Sequence, residues 1–151
     1  KLYKNFFITG IDISKKAITT SIKNAKKLSC SNVKFIKQDL FDMNFTPYDI
    51  IVSNPPYLSV QEVEHLDQSV KNHDPFIALS DNNDGLSFYK FFIKNIDLFL
   101  KNNGKMYFEI PNSSITEAIM DLIKENKKIS SEVFKDFEGN NRVIKIYFNV
   151  T

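Results

Sequence analysis

This sequence predicts an α/β fold: a mostly parallel sheet wound with helices and closed by an antiparallel pair of strands. Three observations predict it. Short apolar runs of strand character alternate with longer runs whose apolar residues recur at helical spacing, the pattern of a sheet built by crossovers. One apolar run, Ile50-Ile51-Val52-Ser53, passes straight into Asn54-Pro55-Pro56-Tyr57, so a buried strand ends at a stiff corner. The last two apolar runs are separated only by Glu138-Gly139-Asn140-Asn141, which reads as a hairpin.

The elements follow in order. Residues 6–11 read as a strand that ends at Asp12. Ser14 is placed to cap a helix whose apolar face is Ala17, Ile18, Ile22, Ala25 and Leu28. Asn32 breaks into a second strand over 33–36, which ends at Gln38-Asp39-Leu40. The diproline-ended strand follows, and its unbroken apolar run predicts burial on both faces. Residues 58–84 are polar and loop-rich, long for a connection, as functional or mobile loops are. Tyr89, Phe92, Ile93, Ile96, Phe99 and Leu100 predict a helix over 86–100, terminated by Asn102-Asn103-Gly104. A strand over 106–110 is ended by Pro111. Ser114-Ile115-Thr116-Glu117 has capping-box form and opens a helix that buries Ile115, Ala118, Ile119, Leu122 and Ile123. Strands over 132–137 and 142–150 complete the chain. No repeat and no linker interrupts it, so residues 1–151 are expected to form one domain.

Composition narrows the function classes. A hydrophobic share of 42% with 25% charged residues is that of an ordinary globular protein. Twenty basic residues against 18 acidic ones leave a net charge of +2, too little to point to nucleic acid or an anionic membrane. No apolar run approaches the length of a membrane span, and no signal-peptide pattern opens the chain. The single cysteine, Cys30, makes no internal disulfide and leaves no metal cluster, consistent with a cytoplasmic or organellar location. Arg142 is the only arginine, which with abundant Asn and Ile reflects compositional bias in the source. The chain begins at Lys1 and is soon inside a strand pattern, which reads as the continuation of something longer.

The chemistry is in the corner. A residue before proline is pushed out of the helical region, so Asn54 and Pro55 are both held extended. Open α/β sheets place their ligands at the carboxyl ends of strands. A planar amide or exocyclic amine nitrogen is a poor nucleophile because its lone pair is delocalised. Two acceptors that take its N–H bonds can aim it at an electrophile, and the Asn54 side-chain oxygen and the Pro55 carbonyl are two such acceptors. Tyr57 is placed to lie over the flat face of the same group. Positioning of this kind supplies about 7–11 kcal/mol of a barrier without any acid or base. Asp12 and Asp39 fall at two successive strand ends, where a carboxylate accepts the hydroxyls of a ribose. Either alone reads rather as a helix cap or a solvated turn residue, and the two together beside the Asn-Pro-Pro-Tyr corner reverse that preference.

These residues together resemble the class I S-adenosylmethionine-dependent methyltransferases. More narrowly, the sequence resembles the HemK-type protein-(glutamine-N5) methyltransferases that modify peptide chain release factors. The carriers are Gly10-Ile11-Asp12-Ile13-Ser14, Gln38-Asp39-Leu40-Phe41 and Val52-Ser53-Asn54-Pro55-Pro56-Tyr57. More discriminating are His65-Leu66-Asp67, Val70, His73-Asp74-Pro75, Ala78-Leu79, Asp84-Gly85-Leu86 and Phe88-Tyr89, in that order, with Glu109 and Arg142-Val143 beyond them. Asp74 is more often Glu in the family. The resemblance implies a Rossmann-like sheet with helices on both faces and a C-terminal antiparallel hairpin. It implies that Asp12, Ile13, Asp39, Leu40 and Asn54 border S-adenosyl-L-methionine, and that Asn54, Pro55, Pro56 and Tyr57 grip the glutamine amide of a release factor. His73 receives no catalytic role, and Arg142 reads equally as a surface ion pair.

One departure stands out. The family's acidic-Gly-x-Gly loop, which lets the cofactor approach bare backbone, is absent from the four glycines at 10, 85, 104 and 139. The expectation is therefore a carboxy-terminal part that lacks the first strand and the Gly-rich loop. That strand would sit mid-sheet, between the strand ending at Asp12 and the one ending at Asn54. Residues 1–151 alone are then expected to be inactive and to bind S-adenosylmethionine poorly; micromolar binding by calorimetry would contradict this. Alternative functions are methylation of a ribosomal-protein glutamine, methylation of adenine N6 or guanine N2 in nucleic acid, and an inactive remnant. A nucleic-acid substrate would call for a basic groove or an added recognition segment, which the near-neutral charge does not supply.

Overall fold

The computed structural model describes residues 5–43, 45–111 and 114–149. The chain divides into two compact units, Lys1–Asn44 and Phe45–Thr151.

The first unit is a β-α-β crossover. Strand β1 (Ile8–Asp12) and strand β2 (Val33–Lys37) pair in parallel, Asp12 opposite Lys37, and helix α1 (Lys15–Lys27) connects them. Ser14 is the cap, as its position predicts: its hydroxyl accepts from the Ala17 N–H at 3.3 Å. The apolar face of α1 is less buried than its spacing suggests. Ile18 is buried, whereas Ile22 and Leu28 are 39% and 58% exposed, because this small unit offers a two-stranded sheet and little else to cover them.

The second unit is a four-stranded sheet in the order β3-β4-β6-β5. Strand β3 (Tyr48–Ser53) runs parallel to β4 (Leu100–Glu109), while β6 (Asn141–Phe148) is antiparallel both to β4 and to β5 (Ile129–Lys135). The predicted hairpin is therefore present. Asp136 organises its turn, its Oδ1 accepting from the Glu138 and Asn140 N–H groups at 3.0 and 2.9 Å. Arg142 pairs with Asp136 at 3.1 Å, the plain surface role open to it from the sequence.

The segment after the diproline corner contains three short helices, α2 (Val60–Glu64), α3 (Gln68–His73) and α4 (Phe76–Leu79). Ser59 and Glu62 form a capping box on α2 that explains its start. Helices α5 (Ser87–Lys94), α6 (Ile96–Phe99) and α7 (Ser114–Glu125) supply most of the remaining core. Tyr89, Phe92, Ile93, Ile119 and Ile123 from the helices are buried together with Met106, Phe108, Ile144 and Ile146 from the sheet. Phe92 sits 4.9 Å from Phe108 and 4.8 Å from Phe99, centroid to centroid, tilted as aromatic pairs prefer.

Three expectations are corrected here. The diproline strand is not buried on both faces. It is an edge strand, with β4 on one side and no ladder partner on the other among the described residues, and Val52 is 76% exposed. An apolar run reports affinity for burial, but which neighbours cover it is a long-range matter. Nor does one helix run from 86 to 100. It breaks at Asn95, and β4 already begins at Leu100, so Asn102-Asn103-Gly104 lies inside a strand. The turn signal is used as a bulge: Tyr48 pairs with Leu100 while Ile50 pairs with Lys105, so extra residues are looped out between them. Gly104 is needed at that crossing, since a Cβ there would stand 2.7 Å from Leu100 Cδ1 and 2.9 Å from the Tyr48 carbonyl oxygen. Replacing Gly104 with Val should destabilise the protein by about 2 kcal/mol or more through this clash, read as a lower denaturation midpoint. Last, Ser114 is already helical rather than the cap, and the two residues before it lie outside the described residues.

Candidate active site

In the first unit, Asp12 and Asp39 are brought together at the same end of a parallel pair. The Gln38 N–H donates to the Asp12 carbonyl at 3.0 Å, continuing the ladder one step past the strands. Each carboxylate braces its own turn. Asp12 Oδ1 accepts from the Ser14 N–H at 2.7 Å. Asp39 Oδ1 accepts from the Phe41 N–H at 2.9 Å and caps the 3-10 turn Leu40–Asp42. The second oxygen of each has no hydrogen-bond partner among the described residues. These aspartates are thus both turn residues and acceptors held in fixed directions at strand ends. Ile13 is exposed beside Asp12, and Leu40 is half-buried beside Asp39.

In the second unit, β3 stops at Ser53, as the two prolines require. Ser53 is opposite Phe108, so Asn54 follows at the carboxyl end of β3, beside the end of β4. Asn54 is exposed, Pro55 is buried, and Pro56 and Tyr57 are half-buried. Neither the Asn54 side chain nor the Pro55 carbonyl has a hydrogen-bond partner among the described residues. Two acceptors are therefore available on a backbone that proline holds rigid.

The corner is backed by residues 79–89. The Leu58 N–H donates to the Leu79 carbonyl at 3.0 Å, and Leu58 bridges Ser80 in parallel. Tyr89 on α5 is fully buried, and its hydroxyl donates to the Glu109 carbonyl at 2.8 Å, tying α5 to the carboxyl end of β4. Burial, with the nearby Tyr57 and Glu109, pushes the Tyr89 phenol well above its ordinary value, so it stays a neutral donor. Asp81 gathers three N–H groups: Asn83 and Gly85 on one oxygen, both at 2.9 Å, and Ser87 on the other at 2.8 Å. Partial burial alone would raise its carboxyl; the hydrogen bonds from Ser87, Gly85 and Asn83 outweigh that and hold it below the ordinary value. Such a lowered carboxyl stabilises the loop at any pH above the unfolded value of about 3.9, and the contribution is lost as pH falls through the lower folded value. Hydrogen exchange at Gly85 and Ser87 should therefore keep its protection down to about pH 4 and lose it only below. Loss of protection between pH 5 and 7 would contradict the bonding.

The family described as "Methyltransferase domain" matches residues 1–147. The chain belongs to that family. This methyltransferase domain is 42% identical over 144 residues to the release factor glutamine methyltransferase of Fusobacterium nucleatum subsp. nucleatum, covering 93% of this chain and 40% of the relative. It is 40% identical over 149 residues to the protein of the same name from Bacillus subtilis, covering 93% of this chain and 50% of the relative. The chain thus spans about half the length of the relatives it matches. A methyltransferase of Pyrococcus furiosus shares the fold, with a TM-score of 0.66 at 17% identity over 97% of this chain and 66% of that one. The α/β, Rossmann-like fold expected from the sequence is therefore that of this methyltransferase domain.

Each unit of the methyltransferase domain assembles its share of the predicted site residues: Asp12, Ile13, Asp39 and Leu40 in the first, Asn54, Pro55, Pro56 and Tyr57 in the second. His73 is exposed, with Nδ1 2.7 Å from the Ser69 carbonyl, a local contact within its own helix. Sequence reasoning missed Asp81. Its signal is faint: an Asp at the head of Asn82-Asn83-Asp84-Gly85, a turn-rich run just before a helix. Two surface hollows of the second unit lie away from these residues, one lined by Ile93, Leu122 and Asn126, the other by Pro47, Leu100 and Asn103.

Proposed function

We propose that this protein transfers a methyl group from S-adenosyl-L-methionine to the side-chain amide nitrogen of a glutamine in a peptide chain release factor. One observation carries the reading: in a chain of the methyltransferase-domain family, Asn54 and the Pro55 carbonyl stand at the end of a strand as acceptors without a partner among the described residues. The similarity to release factor glutamine methyltransferases supports the choice of substrate. The family match runs through both units, which supports treating residues 1–151 as one catalytic domain.

Asn54 and Pro55 each accept one N–H of the glutamine amide, Pro56 stiffens the corner, and Tyr57 covers the flat face of the group. When bound, S-adenosylmethionine would supply an electrophilic methyl group, whose S–C bond breaks to leave S-adenosylhomocysteine. As the amide nitrogen forms its new bond to carbon, its N–H groups become more acidic. The hydrogen bonds to Asn54 and Pro55 therefore strengthen most in the transition state, where they lower the barrier. The surplus proton leaves to solvent. Asp12 and Asp39, each with a carboxylate oxygen to spare among the described residues, suit a ribose diol and the neighbouring polar atoms of the cofactor, with Ile13 and Leu40 bordering it.

A cytoplasmic location follows from the proposed substrate. Among the described residues, no helix is long and apolar enough to cross a membrane. The deciding experiment is mass spectrometry of release-factor peptides after incubation with the full-length protein and S-adenosylmethionine. One added methyl on a glutamine is expected; methylation confined to a ribosomal protein or a nucleic acid would overturn the substrate. In the same protein, Asp12→Asn keeps the acceptor for the Ser14 N–H but loses the charge. It should weaken S-adenosylmethionine binding by about tenfold or more by calorimetry. Unchanged affinity would remove Asp12 from the cofactor site.

A further inference from the structure

We propose that Asp81 and Gly85 are positioning residues for methyl transfer, acting on the Asn54-to-Tyr57 corner through a backbone contact that only glycine permits. This rests on the corner being the transfer site.

The corner presents acceptors that no donor among the described residues holds in place, so their position is set from behind. Gly85 does this by contact. Its φ is +80°, and a Cβ there would stand 2.2 Å from the Tyr57 carbonyl oxygen, 2.9 Å from the Tyr57 carbonyl carbon and 3.0 Å from Ile115 Cδ1. The backbone of Gly85 is thus seated directly against the peptide of Tyr57, at a distance that any side chain would open. What holds Gly85 there is Asp81. Its Oδ1 accepts from the Gly85 and Asn83 N–H groups, and its Oδ2 accepts from the N–H of Ser87, the first residue of α5.

One carboxylate therefore links the left-handed glycine to the start of the helix that carries Tyr89. Tyr89 in turn is bonded to the Glu109 carbonyl at the end of β4. The other flank of the corner is fastened by Leu58 to Leu79 and Ser80. The result is a brace around Tyr57 in which the loop residues touch no reacting atom. Its effect on rate follows from tolerance: a misplacement of about 1 Å at a reacting group costs roughly 100-fold.

The test uses the full-length protein with labelled S-adenosylmethionine and a release factor. Gly85→Ala drives a methyl into the Tyr57 carbonyl and should lower kcat by about 30- to 100-fold. Asp81→Asn retains one acceptor oxygen but sets an NH2 group against the Ser87 N–H, and should lower kcat by about five- to tenfold. In both, affinity for S-adenosylmethionine should stay within about twofold, because neither residue is among its proposed ligands. A merely structural role would instead reduce folded fraction, cofactor affinity and kcat in parallel, and that pattern overturns the proposal. So does an unchanged kcat in Asp81→Asn, which decides alone if Gly85→Ala does not fold. Asn54→Ala is assayed alongside. If it still transfers methyl groups, the corner itself is misassigned; if it is inactive while Asp81→Asn retains normal kcat, only the positioning role fails.

Discussion

Replacing Asn54 with Ala in the full-length protein is expected to lower methyl transfer by about 1,000-fold while leaving S-adenosylmethionine affinity within about twofold. Asn54 is exposed and makes no hydrogen bond to the described residues, so its removal leaves no buried group stranded and no packing void. What disappears is one of two acceptors that hold the amide nitrogen, and the hydrogen bond lost is the kind that tightens as positive charge develops on nitrogen. The loss should therefore fall on kcat more than on KM. Asn54→Asp is a useful companion, because it keeps an acceptor of the same shape and adds charge; it should retain more activity than Ala. A variant Asn54→Ala that methylates a release factor at the normal rate would end the role assigned to the corner.

Replacing Phe108 with Ala should cost about 3–5 kcal/mol of stability. Phe108 has no exposed surface, lies in β4 between the parallel and antiparallel halves of its sheet, and packs its ring against Tyr89 at 5.8 Å and Phe92 at 4.9 Å. Truncation removes the aromatic transfer energy and leaves a void that helix and strand can only partly close. The same change at Phe137, which is fully exposed in the hairpin turn, should stay within about 0.5 kcal/mol. Denaturant midpoints for the two variants settle the matter. Similar losses at both positions would mean that the core is elsewhere. Phe108→Ala should also lower activity at temperatures where Asn54→Ala remains fully folded, which separates a packing defect from a chemical one.

The relation between these two positions shows what kind of information each carries. Asn54 was legible because proline chemistry is local. Two consecutive prolines end a ladder whatever surrounds them, and the polar residue before them is then held at a strand end. Ser14 as a helix cap and the turn at Glu138-Gly139-Asn140-Asn141 are legible for the same reason, since each is completed by hydrogen bonds spanning two to four residues, although the organising Asp136 was read as strand. Asn102-Asn103-Gly104 shows the boundary of that logic. The run does interrupt the regular ladder, as its composition suggests. Whether it ends a helix or bulges a strand depended on Tyr48, more than fifty residues away, whose carbonyl crosses at Gly104.

The amino-acid sequence by itself determined the order of the strands, the place of α1 and α7 between them, and the two aspartates and one amide offered at strand ends, while the short helices of the segment read as loop were not legible in it. Tertiary structure alone decided that Val52 lies in the open, that Asp81 closes on Gly85 and Ser87, and that Gly85 is pressed against Tyr57. The division has a physical cause. Stops, caps and turns are set by the dihedral preferences and hydrogen bonds of neighbouring residues. Strand neighbours, burial and close backbone contacts are set by which distant surfaces meet, and many pairings satisfy the same local preferences.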